Sequence, residues 1–263
     1  PFDIFGAIFW MLTRYEEYVA KDKDKHNRFP AAASIAAQYN FLQQPVIDEW
    51  IMHLAKLFQR SGVVTNVSNT FQFIPTYDID IAYAYQEKGL LQNVLGGIKD
   101  VLRMKPQLLS QRLGTMWRQQ KDAYDNFDFL EELRTSYQLK PLYFWLLPKQ
   151  NGTFDRNVDR NNQRQLALIA QLKAHNLIGI HPSYQSHQSE ALLADEISFL
   201  SNKIASSVSH SRQHYIKISW PDTYRHLIQQ GITDDYSMGY ADANGFRAGT
   251  SQSFYWFDLL KNE

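Results

Sequence analysis

From about residue 71 onward, short apolar runs alternate with long stretches of helical periodicity, and this alternation constrains the fold more than any other feature. The runs cover 71–79, 141–147, 177–181 and 215–219, with a weaker one around Tyr236. Helical patterns lie between them at about 90–137, 160–175, 187–206 and 221–230. Strands separated by helices imply a mostly parallel sheet with helices outside it, either an open sheet or a (β/α) barrel. In both, functional groups gather at the carboxyl ends of the strands. The stretch over 86–137 exceeds one ordinary helix, and Pro106 is the expected break.

Before residue 71 the pattern is different. Ile4, Ile8, Met11, Leu12 and Tyr15 recur at helical spacing, and Ile47, Ile51, Leu54 and Phe58 mark a second helix over 46–59. A charged loop covers 21–28, and the Gly, Asn, Ser, Thr and Val of 61–71 read as a turn or short strand preceding a new unit. The expected division is a helical N-terminal region over 1–70 and an α/β domain over 71–263. The apolar opening segment is broken by Arg14, Glu16 and Glu17, which favours a buried amphipathic helix over a membrane span.

Charge narrows the partners. Twenty-seven basic residues balance twenty-seven acidic ones. No net field draws in phosphates, so nucleic acid is not the expected partner. The absence of cysteine excludes disulfides and thiolate chemistry. The start at Pro1 reads as a piece of a longer protein. Location is open, leaning to the cytoplasm, with export possible through a leader upstream.

Four short segments carry residues suited to chemistry. Phe-Ile-Pro-Thr-Tyr-Asp-Ile-Asp, 73–80, sets Asp78 and Asp80 two apart at the end of a strand and so on one face. Carboxylates that close share a cation or raise one another's pKa; an Asp after a strand also commonly caps the next helix. Leu-Ile-Gly-Ile-His-Pro, 177–182, ends a strand at His181, with His187 six residues on as a further candidate. Ser-Arg-Gln-His-Tyr-Ile-Lys-Ile-Ser, 211–219, opens a strand with Arg212 and His214 on one face. Residues 234–250 read as a glycine-punctuated loop with Tyr236, Tyr240, Phe246 and Arg247 where a substrate-binding loop would have them, though Asn244-Gly245 equally marks a plain hairpin turn. Two Asp and two His at strand ends supply the ligands that borderline metals such as zinc accept.

The order of these motifs resembles the polysaccharide deacetylases of the NodB-homology superfamily, carbohydrate esterase family four. The likeness spans about 71–258. That family opens with Thr-Phe-Asp-Asp, and Thr76-Tyr77-Asp78-Ile79-Asp80 is similar with one residue inserted between the carboxylates. Its second motif holds two His four apart before a Pro; here His181 precedes Pro182, but position 177 is Leu. Arg212 stands where the third motif has its Arg, and Gly245-Phe246-Arg247 with Gly249-Thr250 resembles later loop motifs.

The resemblance implies an irregular or incomplete (β/α) barrel of the NodB-like type, truncated at the C-terminus, so that Phe254 to Phe257 face missing sequence. It implies Asp78 as general base oriented by Arg212, and one divalent ion, zinc by expectation, on Asp80, His181 and His214. Tyr184, Tyr236, Tyr240, Phe246 and Arg247 would contact a glycan. The implied activity is hydrolysis of N-acetyl or O-acetyl groups on a polysaccharide. The alternative is an inactive carbohydrate-binding or scaffold module on the same fold. A metal-free glycosidase acting through Asp78 and Asp80 is disfavoured, because two carboxylates on one strand do not straddle a glycosidic bond.

Overall fold

The computed structural model describes residues 2–63 and 70–263. The turn expected over 61–71 falls for the most part outside them. The chain begins with α1 (Ile4–Leu12), α2 (Tyr15–Val19), α3 (Ile35–Gln38) and α4 (Val46–Arg60). It continues through β1 (Thr76–Ile79), α5 (Leu90–Leu102), α6 (Pro106–Met116), α7 (Phe127–Ser136), β2 (Leu142–Trp145) and α8 (Gln163–Lys173). It closes with β3 (Leu177–Ile180), α9 (Glu190–Ile204), β4 (His210–Ser211), α10 (Asp222–Gln229) and β5 (Asp234–Asp235).

Backbone proximity divides the chain into two units. One is Phe73–His214 with Gln230–Asp234; the other is Pro1–Gln72 with Tyr215–Gln229 and Asp235–Glu263. The second unit thus gathers segments from both ends of the chain. The C-terminal segments pair with the N-terminal one: Ile47 N donates to Gly249 O at 3.0 Å, and Phe246 N to Leu42 O at 2.8 Å. Glu17 is buried between Arg14 and Arg247, whose charges hold its carboxyl down at about 2 against the opposing effect of burial.

In the first unit, the sheet has the order β1-β2-β3-β4-β5 and does not close among the described residues. The pairs β1–β2, β2–β3 and β3–β4 are parallel. β2 is apolar on both faces and fully buried, as a central strand covered on two sides must be. Its Phe144 lies in register with Asp78 on one side and Gly179 on the other. A Cβ at Gly179 would stand 2.7 Å from the Phe144 ring and 2.9 Å from the His210 carbonyl, so glycine is what lets β2 and β4 close on β3 from either side.

Helix boundaries follow local chemistry. Pro106 at the first turn of α6 breaks the long helical stretch, which resolves into α5, α6 and α7. The Asn162 side chain caps α8 by accepting from Gln165 N at 2.9 Å, and Ser189 caps α9 through Leu192 N at 3.3 Å. The strand expected over 215–219 is absent. β4 is two residues long and earlier, and the chain then turns at Tyr215 and Ile216, whose φ values of 61° and 51° are left-handed and incompatible with a strand. Among the described residues, no helix is long and apolar enough to cross a membrane.

Candidate metal centre

Each strand of the parallel set is followed by a polar residue of the site, at its carboxyl end or in the loop beyond it. Asp80 follows β1, Asp155 lies in the loop after β2, His181 follows β3, and Arg212 and His214 follow β4. Sheet-like hydrogen bonds continue one step beyond the strands and fix these positions. His181 N donates to Trp145 O at 2.9 Å, Arg212 N to Ile180 O at 3.1 Å, and His214 N to Pro182 O at 3.3 Å.

Asp80, His181 and His214 form a group able to hold a metal ion, with one donor atom from each lying within 4.8 Å of the others. Asp80 Oδ1 is 3.2 Å from His181 Nε2 and 3.6 Å from His214 Nε2. Both imidazoles are buried while Asp80 is half exposed, so the site has closed walls and an open side.

The second nitrogen of each ring decides what the first can do. His181 Nδ1 meets the Arg212 carbonyl at 2.6 Å, and a carbonyl only accepts, so Nδ1 carries the proton. His214 Nδ1 meets Asp155 Oδ1 at 2.9 Å, and the same reasoning places a proton there. Both Nε2 atoms are then lone pairs pointed at a carboxylate oxygen, unless a cation stands between them. That cation is either an extra proton on a ring or a metal ion. A carboxylate or carbonyl behind each ligating imidazole is the usual support of a metal-binding histidine. The donor set, two nitrogens and one oxygen, suits zinc and similar borderline ions.

Electrostatics agree with the need for a cation. Burial would lower the His214 pKa, but hydrogen bonds and charge from Asp155 and Asp80 raise it from 6.5 to about 9. Burial would raise Asp80, but hydrogen bonds from His181 and His214 and their charge hold it well below the usual carboxylate range. In the ion-free protein, His214 thus contributes stability that is complete below pH 6.5 and is lost as pH rises through about 9. The expected result is a melting temperature of ion-free protein that falls between neutral pH and pH 9.5, with the fall diminished in His214→Gln. Ion binding has to displace that proton, so uptake near pH 7 releases about one proton per chain, measurable by calorimetry in buffers of different ionisation enthalpy.

Asp78 lies in β1, two residues before Asp80. Arg212 Nη1 donates to Asp78 Oδ1 at 2.9 Å and Nη2 to Thr76 Oγ1 at 2.8 Å, while the guanidinium lies 4.8 Å over the Phe144 ring. Arg212 therefore acts twice. Its carbonyl orients His181 and its side chain orients Asp78.

Asp155 escapes a reading of the sequence, because it sits within a polar loop and not at the end of an apolar run. Its Oδ1 accepts from both His214 Nδ1 and Tyr184 N, the latter at 2.8 Å. The Asp155→Asn variant is expected to bind the ion about 10- to 100-fold more weakly, as loss of a ligand's supporting carboxylate commonly does. Competition with a chromophoric chelator measures it.

The remaining candidates are not among the metal donors. His187 is buried with Nδ1 2.9 Å from the Tyr184 carbonyl, and it is outside the group of metal donors. Tyr184 is buried and stacks on Phe154 at 4.2 Å. Tyr236, Tyr240, Phe246 and Arg247 belong to the helical unit. Arg247, expected in a substrate loop, is instead buried against Glu17 and the Gly239 carbonyl, because an unpaired Glu17 charge would be costly there. Tyr240 is packed with Phe29 and Ala31. Trp256 stacks on Tyr224 at 5.5 Å, Phe257 meets Phe9 edge-on at 5.3 Å, and Tyr255 is 99% exposed.

A family model described as a family of unknown function, DUF7033, matches residues 1–62. No curated protein matches the chain. Among solved structures, that of IcaB from Ammonifex degensii is similar at a TM-score of 0.32 and 14% identity, over 43% of this chain and 56% of that one. The chain thus spans little more than half the length of that structure.

Proposed function

We propose that the chain is a metal-dependent hydrolase that removes acetyl groups, N-linked in the first instance, from a polysaccharide or related glycan. The observation that carries this is the convergence of Asp80, His181 and His214 beside an Arg212-held Asp78. The motif order of the NodB-type deacetylases supports it, and the open parallel sheet is compatible with a partial barrel of that kind.

Asp80 Oδ1 and the two Nε2 atoms would hold one divalent ion, zinc by the character of the donors. Such an ion supplies Lewis acidity to the acyl carbonyl and to the attacking water. Asp78 takes the proton of that water through its carboxylate, whose Oδ1 is fixed by Arg212. The hydrogen bond from Arg212 confines Asp78 to one rotamer. Asp155 holds the His214 ring with Nε2 turned to the site. The half-exposed Asp80 keeps the site open to solvent.

The test is release of acetate from N-acetylglucosamine oligomers by protein reconstituted with zinc, cobalt or manganese. Ion-dependent release supports the reading. Full ion loading with no release from N- or O-acetylated glycans, together with retained glycan binding, assigns the fold to a binding module instead.

A further inference from the structure

α5 is turned inside out. It buries Asn93, Gly97 and Asp100, and it exposes Leu91, Val94, Leu95, Ile98, Val101 and Leu102. Those six recur at steps of three and one, so they share one helical face. The inversion is fixed by α6. Arg112 Nε donates to Asp100 Oδ2 at 3.0 Å and Nη1 to Asn93 Oδ1 at 3.1 Å. A Cβ at Gly96 would stand 2.6 Å from the Arg112 guanidinium, so the small residues make room for it. The polar side is the packed side, and the apolar side faces out. Met104 at 88% exposure and Trp117 at 67% add large apolar groups at the ends of α5 and α6. An apolar surface of this extent on a water-facing helix marks an interaction site.

The charge of the same segment identifies what it meets. Between residues 88 and 121 there are seven cationic side chains and one acid, in a chain whose charges balance overall. The one acid, Asp100, is taken up by Arg112. Lys99, Arg103 and Lys105 are exposed on and just beyond α5. We infer that this face docks on an anionic lipid surface, with α5 lying in the plane of the interface. Its leucine-rich side would enter the acyl boundary, and Lys99, Arg103 and Lys105 would meet the headgroups.

The helix has 13 residues, about 20 Å of length, enough to lie on a bilayer and too short to cross one. A second copy fits less well. A two-fold pairing would set this cationic segment against itself, where like charges repel. The inference is independent of the metal centre.

Flotation with phosphatidylcholine vesicles, with and without a quarter of phosphatidylglycerol, tests it. The purified chain is expected to float with the anionic vesicles, far less with the neutral ones, and to be released by high salt. Leu95→Asp with Ile98→Asp should reduce partition at least tenfold at an unchanged melting temperature. Arg103→Glu with Lys105→Glu, at exposed positions, should lower anionic binding selectively and carries the test if the first variant misfolds. No flotation with anionic vesicles, or flotation undiminished in a folded Leu95→Asp/Ile98→Asp variant, overturns the inference. So does a dimer, seen by light scattering and broken by the same substitutions, in protein that ignores vesicles.

Discussion

Asp78→Asn is expected to keep its ion and lose turnover by about 10²- to 10⁴-fold, the range general-base catalysis contributes. The amide preserves the shape of the side chain and can accept one hydrogen bond from Arg212, but it cannot take a proton from water. Asp78 is outside the group of metal donors, so ion content should not change. Elemental analysis and acetate release on one preparation separate the two roles. Loss of ion together with activity would make Asp78 a ligand, and unchanged turnover would remove it from the mechanism.

His181→Ala is expected to weaken ion binding at least about a hundredfold, more than the loss of a supporting carboxylate costs, because a ligand itself is gone. Its Nε2 is one of two imidazole donors, and both rings are held from behind. Removing the ring also leaves the Arg212 carbonyl without its 2.6 Å partner, which loosens the residue that orients Asp78. Ion content and turnover therefore fall together in this variant, in contrast to Asp78→Asn. A fully loaded His181→Ala protein would contradict the ligand set.

The legible parts of this chain are those where pattern and position coincide. Leu-Ile-Gly-Ile-His-Pro announces a strand ending in a histidine, and β3 ends at Ile180 with His181 at the site. The buried run of β2 could not be mistaken, since Leu142 to Trp145 is apolar throughout. β4 was beyond reach, because a two-residue strand has no period to detect. The apolar run at 215–219 offered a false strand, and only the left-handed Tyr215 and Ile216 explain why it turns away. Asp155 could not be seen either. Its role depends on a loop reaching His214 across 59 residues of sequence, and no local signal records that. α5 shows another boundary of sequence reading. Periodicity announces a two-sided helix but does not say which side is buried, and here it is the polar one.

Zinc titration of ion-free wild-type protein, followed by calorimetry at pH 7 in two buffers, tests the central claim most directly. The account predicts one ion per chain with release of about one proton, because His214, raised to about 9, must give up its proton for Nε2 to bind. Absence of stoichiometric binding in the wild type, or equal binding in His214→Ala, would contradict it.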